Sequence, residues 1–257
     1  MRLATWNING LRARMDFMAL WLNDRKPDVV GLQELKTPTD DFPHEFFNEL
    51  GYQALVHGQK SWNGVAILTR DDATLTQTGL PGEDDWGARL ITAEVAGGIE
   101  FTTVYCPNGK SVEHDDYPNK LRWYESLHSH WAAGDHPHRI LCGDFNIVPQ
   151  HLDSWRGEKA DGDVFHTVEE RARLDAVMNL GLTDLYRHLN PDEQAFSWWD
   201  YRGGAFHRKQ GLRIDFLLGT DPLLDKVEDV VIDRDYRKKQ EGLTASDHAP
   251  VFVDLTL

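Results

Sequence analysis

The amino-acid sequence predicts a layered α/β protein whose sheets are mixed or antiparallel rather than wholly parallel. Short apolar runs typical of strands alternate with segments of helical periodicity along the chain. Several strand-like runs, such as residues 88–95 and 99–106, follow one another without a helix between them, whereas parallel neighbours need a long crossover. No linker rich in Gly, Ser or Pro interrupts the pattern, so we expect one domain over residues 1–257.

The predicted strands are short runs rich in Val, Ile, Leu or aromatic side chains. They cover residues 2–8, 28–33, 52–57, 64–70, 88–95, 99–106, 138–143, 213–219, 227–232 and 250–256. The predicted helices carry apolar residues three or four positions apart, which places them on one face. They cover residues 14–24, 43–50, 119–132 and 168–180.

Composition narrows the class of protein. Hydrophobic residues make up 40% and charged residues 27% of the chain, which is typical of a globular protein rather than a disordered or fibrous one. No apolar stretch approaches the roughly 18 residues of a membrane-spanning helix, so no membrane is expected among the partners. The first residues form a strand-like run without a secretion signal, and Cys106 and Cys142 are the only cysteines. We therefore expect a reducing, cytoplasmic location, associated with the nucleoid if the protein is bacterial.

Polar side chains follow several apolar strands at the point where each strand ends. Asn7 closes the first strand-like run, Glu34 lies just beyond Val29–Leu32, and Asp144 follows Ile140–Gly143. A carboxylate in such a place is costly to desolvate unless it is paired, hydrogen-bonded or bound to a metal ion. Oxygen donors without a Cys or His cluster favour Mg²⁺ or Mn²⁺ over Zn²⁺. Taken singly, each acid is equally consistent with a helix cap or a turn.

A further acid lies inside a predicted strand. Asp215 interrupts the apolar run Leu212–Leu218, and a buried acid requires a partner. Asp247 and His248 stand together just before the last predicted strand, which makes His248 a candidate partner for Asp215. An Asp–His pair stabilises imidazolium, which can donate a hydrogen bond to a phosphate oxygen.

Six motifs in one order span nearly the whole chain and resemble the exonuclease III family of abasic-site endonucleases. The motifs are Trp6–Arg12, Leu32–Lys36, Gly143–Asn146, Phe196–Arg202, Gly211–Asp215 and Ser246–Pro250. The resemblance implies a DNase I-like four-layer sandwich. In that fold, two mainly antiparallel β-sheets lie face to face and are flanked by helices.

The resemblance also implies a metal site and a catalytic base. Glu34 would be the principal ligand of Mg²⁺, which Mn²⁺ can replace, and Asn7 and Asp247 would complete the metal site. Asp144 would activate or orient the attacking water. Asn146 would hold that carboxylate or the phosphate.

Three further matches complete the implied reaction site. Tyr105 would contact the phosphate or assist the leaving group, and His248, oriented by Asp215, would donate to the phosphate. Trp198 would form the aromatic wall of a pocket for a base-less sugar flipped out of the duplex. The alternative for Trp198 is packing with its aromatic neighbours in a core cluster.

The net charge of −15 disfavours contact with a polyanion unless basic residues are gathered on one surface. Residues 202–213 contain Lys and Arg but no acid, which makes them a candidate DNA surface. The expected phosphate contacts are Arg89, Lys110, Lys120, Arg208, Lys209 and Arg213. A second basic run, residues 237–239, is equally consistent with a solvated face.

Residues 155–168 depart from the family pattern, because this segment is shorter and more acidic than the corresponding family loop, which borders the DNA. Phe165 and His166 are bulky side chains that either line and narrow the sugar pocket or only anchor the loop. A narrowed pocket would weaken cleavage at internal abasic sites and leave trimming at 3′ ends intact.

The resemblance thus implies a Mg²⁺-dependent DNA repair phosphodiesterase, acting as a monomer on double-stranded DNA with abasic sites or blocked 3′ ends. Cleavage 5′ to an abasic site, 3′-to-5′ exonuclease activity and 3′-phosphatase activity would share one centre. The alternative is a 3′-end-processing enzyme with weak or no abasic-site cleavage. A phospholipid or inositol phosphate hydrolase and a non-catalytic nucleic-acid-binding relative are more distant alternatives.

Overall fold

Twelve β-strands and six α-helices make up the computed structural model, which describes residues 1–257. The strands are β1 (Arg2–Asn7), β2 (Val29–Gln33), β3 (Gln53–His57), β4 (Val65–Thr69), β5 (Thr74–Thr78), β6 (Leu90–Val95), β7 (Ile99–Tyr105), β8 (Arg139–Asp144), β9 (Leu182–Asp184), β10 (Asp215–Thr220), β11 (Val227–Ile232) and β12 (Val251–Leu255). The helices are α1 (Met15–Arg25), α2 (His44–Glu49), α3 (Asp116–Ala132), α4 (Val168–Met178), α5 (Leu185–Leu189) and α6 (Asp221–Leu224).

The strands form two six-stranded sheets of similar design. The first has the order β11-β12-β1-β2-β4-β3 and the second the order β5-β6-β7-β8-β10-β9. Each sheet has one parallel pair at its centre, β1 with β2 and β7 with β8, and its other pairs are antiparallel. Because parallel strands end at the same edge, the last residues of β1 and β2 lie side by side, as do those of β7 and β8.

Side chains on alternate strand positions fill either the space between the sheets or their outer faces. Between the sheets, Leu3 and Val29 of the first sheet pack with Ile140 and Leu217 of the second. The outer clusters join the first sheet to α1 and the second sheet to α3 and α4, through residues such as Val30, Phe17 and Trp21 on one side and Leu141, Trp123 and Leu174 on the other. The order is therefore helices, sheet, sheet, helices, which confirms the predicted four-layer sandwich.

All the predicted strands and helices are present, with bounds shifted by a few residues. Strand β5 was not predicted from the sequence, because this edge strand is mostly exposed and carries threonines rather than an apolar run. Strand β9, which is three residues long, and the short helices α5 and α6 were not predicted either. The strand predicted at residues 213–219 begins at Asp215, so Arg213 lies before it. None of the helices is both long enough and apolar enough to span a membrane.

Gly143 allows a close approach of β7 and β8 next to two candidate site residues. Its φ angle is 140°, and a Cβ atom there would lie 1.9 Å from the carbonyl oxygen of Val104. Gly143 pairs with Val104 in the ladder, and the next pair is Tyr105 with Asp144. The absence of a side chain at residue 143 therefore sets the spacing of Tyr105 and Asp144.

Gly143→Ala is expected to lower the free energy of unfolding by about 3 kcal/mol or more, because the methyl group would overlap main-chain atoms inside a sheet. Gly181→Ala is the matched control, since Gly181 has a φ angle of 88° and no atom within 4 Å of its Cβ position. The control should cost only about 1–2 kcal/mol of backbone strain. Denaturant titrations followed by tryptophan fluorescence measure both losses, and equal losses would contradict the steric argument.

Candidate active site

The ends of four strands bring the candidate residues to one edge of the sandwich. Asn7 ends β1, Glu34 follows β2, Asp144 ends β8 and Asp215 begins β10. The turn before β12 adds His248. Asp215 and Asp144 are paired directly across the antiparallel ladder of β10 and β8. Five residues that are far apart in the sequence therefore meet where the two sheets open.

Glu34 and Asp144 are held together by one amide. The Nδ2 atom of Asn7 donates to Oε1 of Glu34 at 2.9 Å and to Oδ2 of Asp144 at 2.8 Å. Ligand atoms of Glu34, Asp144 and His248 lie within 4.8 Å of one another. The other carboxylate oxygen of Glu34 lies 2.9 Å from Nζ of Lys36. The structure thus places Asn7 between the two acids, with its amide nitrogen rather than its oxygen facing them.

His248 forms the predicted pair with Asp215. Its Nδ1 lies 2.9 Å from Oδ2 of Asp215, which also accepts a hydrogen bond from Oγ of Ser197 at 2.6 Å. Its Nε2 lies 3.8 Å from Oδ2 of Asp144. Burial disfavours the charged imidazole, but the charges of Asp215 and Asp144 outweigh burial and raise the pKa of His248 to about 10. The geometry therefore supports an imidazolium between two carboxylates.

For Asp144, burial outweighs the favourable charge of its neighbour His248. Burial raises the pKa of its carboxyl group to about 7, the charge of His248 opposes this rise, and the charges of Asp215 and Glu34 reinforce it. The backbone N–H of Asn146 donates to Oδ1 of Asp144 at 3.0 Å. The side-chain amide of Asn146 donates to the carbonyl oxygen of Cys106 at 2.9 Å. Asn146 thus holds the carboxylate through its main chain.

Tyr105 lies beside Asp144 in the parallel ladder and is half-buried. Burial, followed by the charges of Glu34 and Asp144, keeps the pKa of its hydroxyl group well above the ordinary value. Nη1 of Arg89 donates to the carbonyl oxygen of Tyr105 at 3.0 Å, and the guanidinium lies 4.9 Å from the ring centre. Tyr105 is therefore a neutral hydrogen-bond donor, and Arg89 holds its main chain and packs against its ring.

Asp247 is connected to Glu34 through two residues that the sequence analysis missed. Asp247 accepts hydrogen bonds from Nε1 of Trp198 at 3.0 Å and from Nδ2 of Asn9 at 2.8 Å. Asn9 in turn accepts from Nζ of Lys36 at 2.6 Å. Burial favours the neutral acid, yet the charge of His248 and these hydrogen bonds lower the pKa of Asp247. Asn9 and Lys36 each lie two positions beyond a predicted site residue, a spacing that could have indicated them.

Trp198 lies on the site rather than in an aromatic core cluster. Its ring centre is 6.5 Å from that of His248, and its side chain is partly exposed. Its neighbour Trp199 is buried in a separate cluster with Phe206. Phe165 packs against the same small apolar cluster as Trp198.

His166 anchors the loop of residues 155–168. The side chain is buried, and its two ring nitrogens lie 3.0 Å from Oγ of Ser154 and 3.1 Å from the carbonyl oxygen of Val164. Of the two bulky residues, Phe165 is thus the partly exposed one, and it shares an apolar cluster with Trp198.

Two predicted phosphate contacts are wrong. Lys120 is fully buried and pairs with Glu170 at 2.6 Å. Arg213 is buried between Asp153, at 2.7 Å, and Asp184, at 2.6 Å. Both cations neutralise buried acids and have no access to a DNA backbone.

The remaining predicted contacts reach the surface to different degrees. Arg208 and Lys209 are exposed on the turn that follows Ala205 and Phe206. Lys110 and Arg89 line a cleft of about 650 Å³ beside Tyr105, together with Trp62 and Trp86. Of the basic run 237–239, Arg237 is buried and donates to the carbonyl oxygens of Asp247 and Trp199, which excludes a solvated position for that residue.

A model of the Endonuclease/Exonuclease/phosphatase family matches residues 4–248. The chain belongs to this family. Exodeoxyribonuclease III of Haemophilus influenzae is 36% identical over 269 aligned positions, which cover 99% of this chain and 99% of that protein. Exodeoxyribonuclease of Bacillus subtilis is 32% identical, with 98% of each chain covered.

Two solved structures share the whole fold of this chain. A variant of the 3′ phosphatase NExo from Neisseria, bound to a product DNA hairpin, is 35% identical with a TM-score of 0.95, and an AP endonuclease from Archaeoglobus fulgidus is 30% identical with a TM-score of 0.94. In both comparisons 100% of each chain is covered. The predicted exonuclease III family, the DNase I-like fold and an enzyme that hydrolyses phosphodiester bonds are confirmed.

The donor set of this family member fits a hard divalent cation. Glu34 and Asp144 present carboxylate oxygens to one space, and burial together with the charges of Asp215 and Glu34 raises the pKa of Asp144. No cysteine belongs to the cluster, and the only imidazole in it carries a proton paired with Asp215. A metal ion that prefers oxygen ligands therefore suits the site better than one that prefers nitrogen or sulphur.

Asp215→Asn is expected to lower the pKa of His248 from about 10, because Asp215 makes the largest favourable charge contribution to the imidazolium. An NMR titration of the imidazole in EDTA measures the change. His57, whose pKa is lowered by burial, is the internal control and should not move. Since the folded-state pKa lies above 6.5, this proton stabilises the wild-type fold fully below pH 6.5 and progressively less up to about pH 10. An unchanged His248 titration would contradict the pairing.

Proposed function

We propose that this protein is a Mg²⁺-dependent DNA repair phosphodiesterase that cleaves 5′ to abasic sites and leaves a 3′-hydroxyl group. Its 3′-to-5′ exonuclease and 3′-phosphatase activities use the same centre. The observation that carries the proposal is the arrangement of Asp144 opposite the paired His248, with Glu34 beside both. Hydrolysis of a phosphodiester by direct attack of water needs a base, a donor to the phosphoryl oxygens and charge neutralisation.

Asp144 is the base in this proposal. With a pKa of about 7 its carboxylate accepts a proton from water near neutral pH, and the N–H of Asn146 keeps one of its oxygens fixed. The imidazolium of His248, held by Asp215, donates to a non-bridging phosphoryl oxygen. Tyr105 remains protonated and donates to the phosphate or to the departing 3′-oxygen.

Glu34 would hold Mg²⁺, or Mn²⁺ in its place, with Asp247 as a neighbouring oxygen ligand. Asn7 would align Glu34 and Asp144 through its amide nitrogen, because its oxygen accepts a hydrogen bond from the N–H of Asn9. When bound, the cation neutralises charge that develops on the phosphate. Lys36 already pairs with one oxygen of Glu34, which keeps that carboxylate aligned.

Double-stranded DNA with abasic sites or blocked 3′ ends is the proposed substrate, handled by a single copy of the chain. Trp198 offers an aromatic wall next to His248 for a sugar without its base. Exposed Arg208 and Lys209, and Lys110 in the cleft beside Tyr105, are the proposed phosphate contacts, with Arg89 supporting Tyr105.

Incision assays on two labelled duplexes test the function, one with an internal abasic-site analogue and one with a recessed 3′-phosphate. Wild-type protein with Mg²⁺ should process both, and EDTA should abolish both reactions. Glu34→Gln should lower kcat by about 10²–10³-fold while DNA affinity survives, because the carboxylate that would hold the charge-neutralising cation is lost. Glu49→Gln, at an exposed position of α2, is the control and should leave kcat unchanged.

The outcomes of these assays separate the alternatives. Removal of the 3′-phosphate without incision would favour a 3′-repair enzyme. No reaction on either duplex would overturn the DNA proposal and would favour a hydrolase of other phosphate esters or a non-catalytic relative. Full activity of Glu34→Gln at low Mg²⁺ would remove Glu34 from the metal site.

The position of Phe165 favours the 3′-end-processing enzyme as the second candidate. Its side chain packs against the same small apolar cluster as Trp198, which would place it beside the proposed sugar pocket and limit the space for an extruded sugar. A free 3′ end needs no extrusion from inside a duplex, so it is less affected by a narrow pocket.

Phe165→Ala is expected to raise the ratio of abasic-site incision to 3′-phosphate removal by about tenfold, because it widens the space beside Trp198. His166→Ser is the matched variant in the same loop. It removes the anchor to Ser154 and should slow both reactions together, with the ratio unchanged. Both ratios come from single-turnover rates on the two duplexes. A ratio that changes in His166→Ser and not in Phe165→Ala would assign the obstruction to His166.

A further inference from the structure

The buried pair of Lys120 and Glu170 lies directly behind the proposed base. Both side chains are 0% exposed, and Nζ of Lys120 lies 2.6 Å from Oε1 of Glu170. Apolar side chains of the same volume would stabilise such a site at least as well, because two charges are costly to remove from water. The stability of the fold therefore does not by itself account for an ion pair at this place.

The other hydrogen bonds of Lys120 go to the two loops that carry site residues. Its Nζ donates to the carbonyl oxygen of Asn146 at 2.7 Å and to that of Asn108 at 3.2 Å. Asn108 lies three residues beyond Tyr105, and Asn146 lies two residues beyond Asp144. One ammonium group thus connects the turns that follow β7 and β8.

Asn146 passes this constraint on to Asp144. Its φ angle is 50°, a left-handed conformation that costs energy for a residue with a side chain. The residue is fixed at three points: its N–H donates to Asp144, its side chain donates to Cys106, and its carbonyl oxygen accepts from Lys120. Without Lys120, the carbonyl group of Asn146 would lose its hydrogen bond. The N–H group of the same residue, which orients the Asp144 carboxylate, would then be less firmly held.

Glu170 connects the same pair to the loop of residues 155–168. Its second oxygen accepts hydrogen bonds from the backbone N–H of Thr167 at 3.1 Å and from the Thr167 hydroxyl at 3.0 Å, at the start of α4. The ring of Phe165 lies over Nζ of Lys120 with its centre 4.8 Å away. The pair thus touches both the loop at the sugar pocket and the turn at the base.

We propose that Lys120 and Glu170 are positioning residues for the reaction. Lys120, held in place by Glu170, fixes the Asn146 turn, sets the orientation of the Asp144 carboxylate, and keeps that orientation in register with the loop of residues 155–168. This inference rests on the proposed function, in which Asp144 activates water. It assigns the pair to the chemical step rather than to DNA affinity.

A double-variant series separates positioning from stability. Lys120→Met and Glu170→Gln each leave one buried charge without a partner, so both should lower the thermal midpoint. The combined variant restores charge balance and should recover much of the midpoint. Its kcat on both duplexes should nevertheless stay about 10–100-fold below wild type with KM within about threefold, because a small misplacement of a catalytic group costs rate rather than binding.

Arg139→Met is the matched control. Arg139 lies at the opposite end of β8, is almost fully buried, pairs with Glu100 at 2.6 Å and donates to the carbonyl oxygen of Trp131 at 2.8 Å. This control should lower the thermal midpoint and leave kcat unchanged. A Lys120→Met, Glu170→Gln double variant that regains both its midpoint and its kcat would overturn the positioning role.

Amide hydrogen exchange tests the inference independently of catalysis. The N–H of Asn146 is hydrogen-bonded to Asp144 in the wild-type protein and should exchange at least about tenfold faster in the combined variant, with the N–H of Phe145, bonded to Ile214, as the internal reference. Unchanged exchange at Asn146 would overturn the inference even if the protein cleaves DNA. An inactive wild type with faster exchange in the variant would overturn the proposed function and leave only the anchoring of the Asn146 turn by Lys120.

Discussion

The imidazolium of His248 is the interaction on which the site depends, because the sheet register places two buried acids face to face. Asp215 and Asp144 are direct partners across β10 and β8, and both are about 1% exposed. Like charges in such a pair are destabilising, and both are expensive to bury. His248 resolves the conflict unequally, since it bonds Asp215 at 2.9 Å and only approaches Asp144 at 3.8 Å. One acid therefore remains a paired carboxylate, and the other is left able to take up a proton near neutral pH.

The same residue fixes how the two sheets meet at this edge. His248 precedes β12 in the first sheet, while its partner Asp215 begins β10 in the second. On the first-sheet side, Nε1 of Trp6 donates to the carbonyl oxygen of His248, and the hydroxyl of Ser246 donates to that of Asn7. These hydrogen bonds connect the end of β1 to the turn before β12, and Asn7 at that end donates to both Glu34 and Asp144. Charge pairing and sheet packing position the proposed metal ligand together.

The sequence was sufficient for the strands and for the acids at their ends, because apolar runs of strand length followed by a polar residue are a local signal. It was not sufficient to predict which individual Lys and Arg side chains are buried and which are exposed. Lys120 and Arg213 resemble solvent-exposed cations in sequence, and their burial depends on acids that lie 50, 60 and 29 positions away. Ion pairs between residues so far apart in the sequence form only in the packed fold, so the local sequence pattern does not predict them. Edge strand β5 was missed for a related reason, since its pairing with β6 supplies the order that its polar side chains do not predict.

The fate of the cations also explains how a chain with a net charge of −15 can act on a polyanion. Lys120 and Arg213 form ion pairs with buried acids, and exposed Lys110 is paired with Asp116 at 2.7 Å. The cations that remain unpaired, such as exposed Arg208 and Lys209, act against a large excess of acids, so the attraction of an undamaged duplex through its phosphates is weak. In the proposed function, recognition depends on the site itself, where the buried imidazolium of His248 supplies a cation and Trp198 lies next to it. In this proposal, a phosphate reaches His248 only when the backbone or a 3′ end enters the site, so weak attraction elsewhere would increase the contrast between damaged and intact DNA.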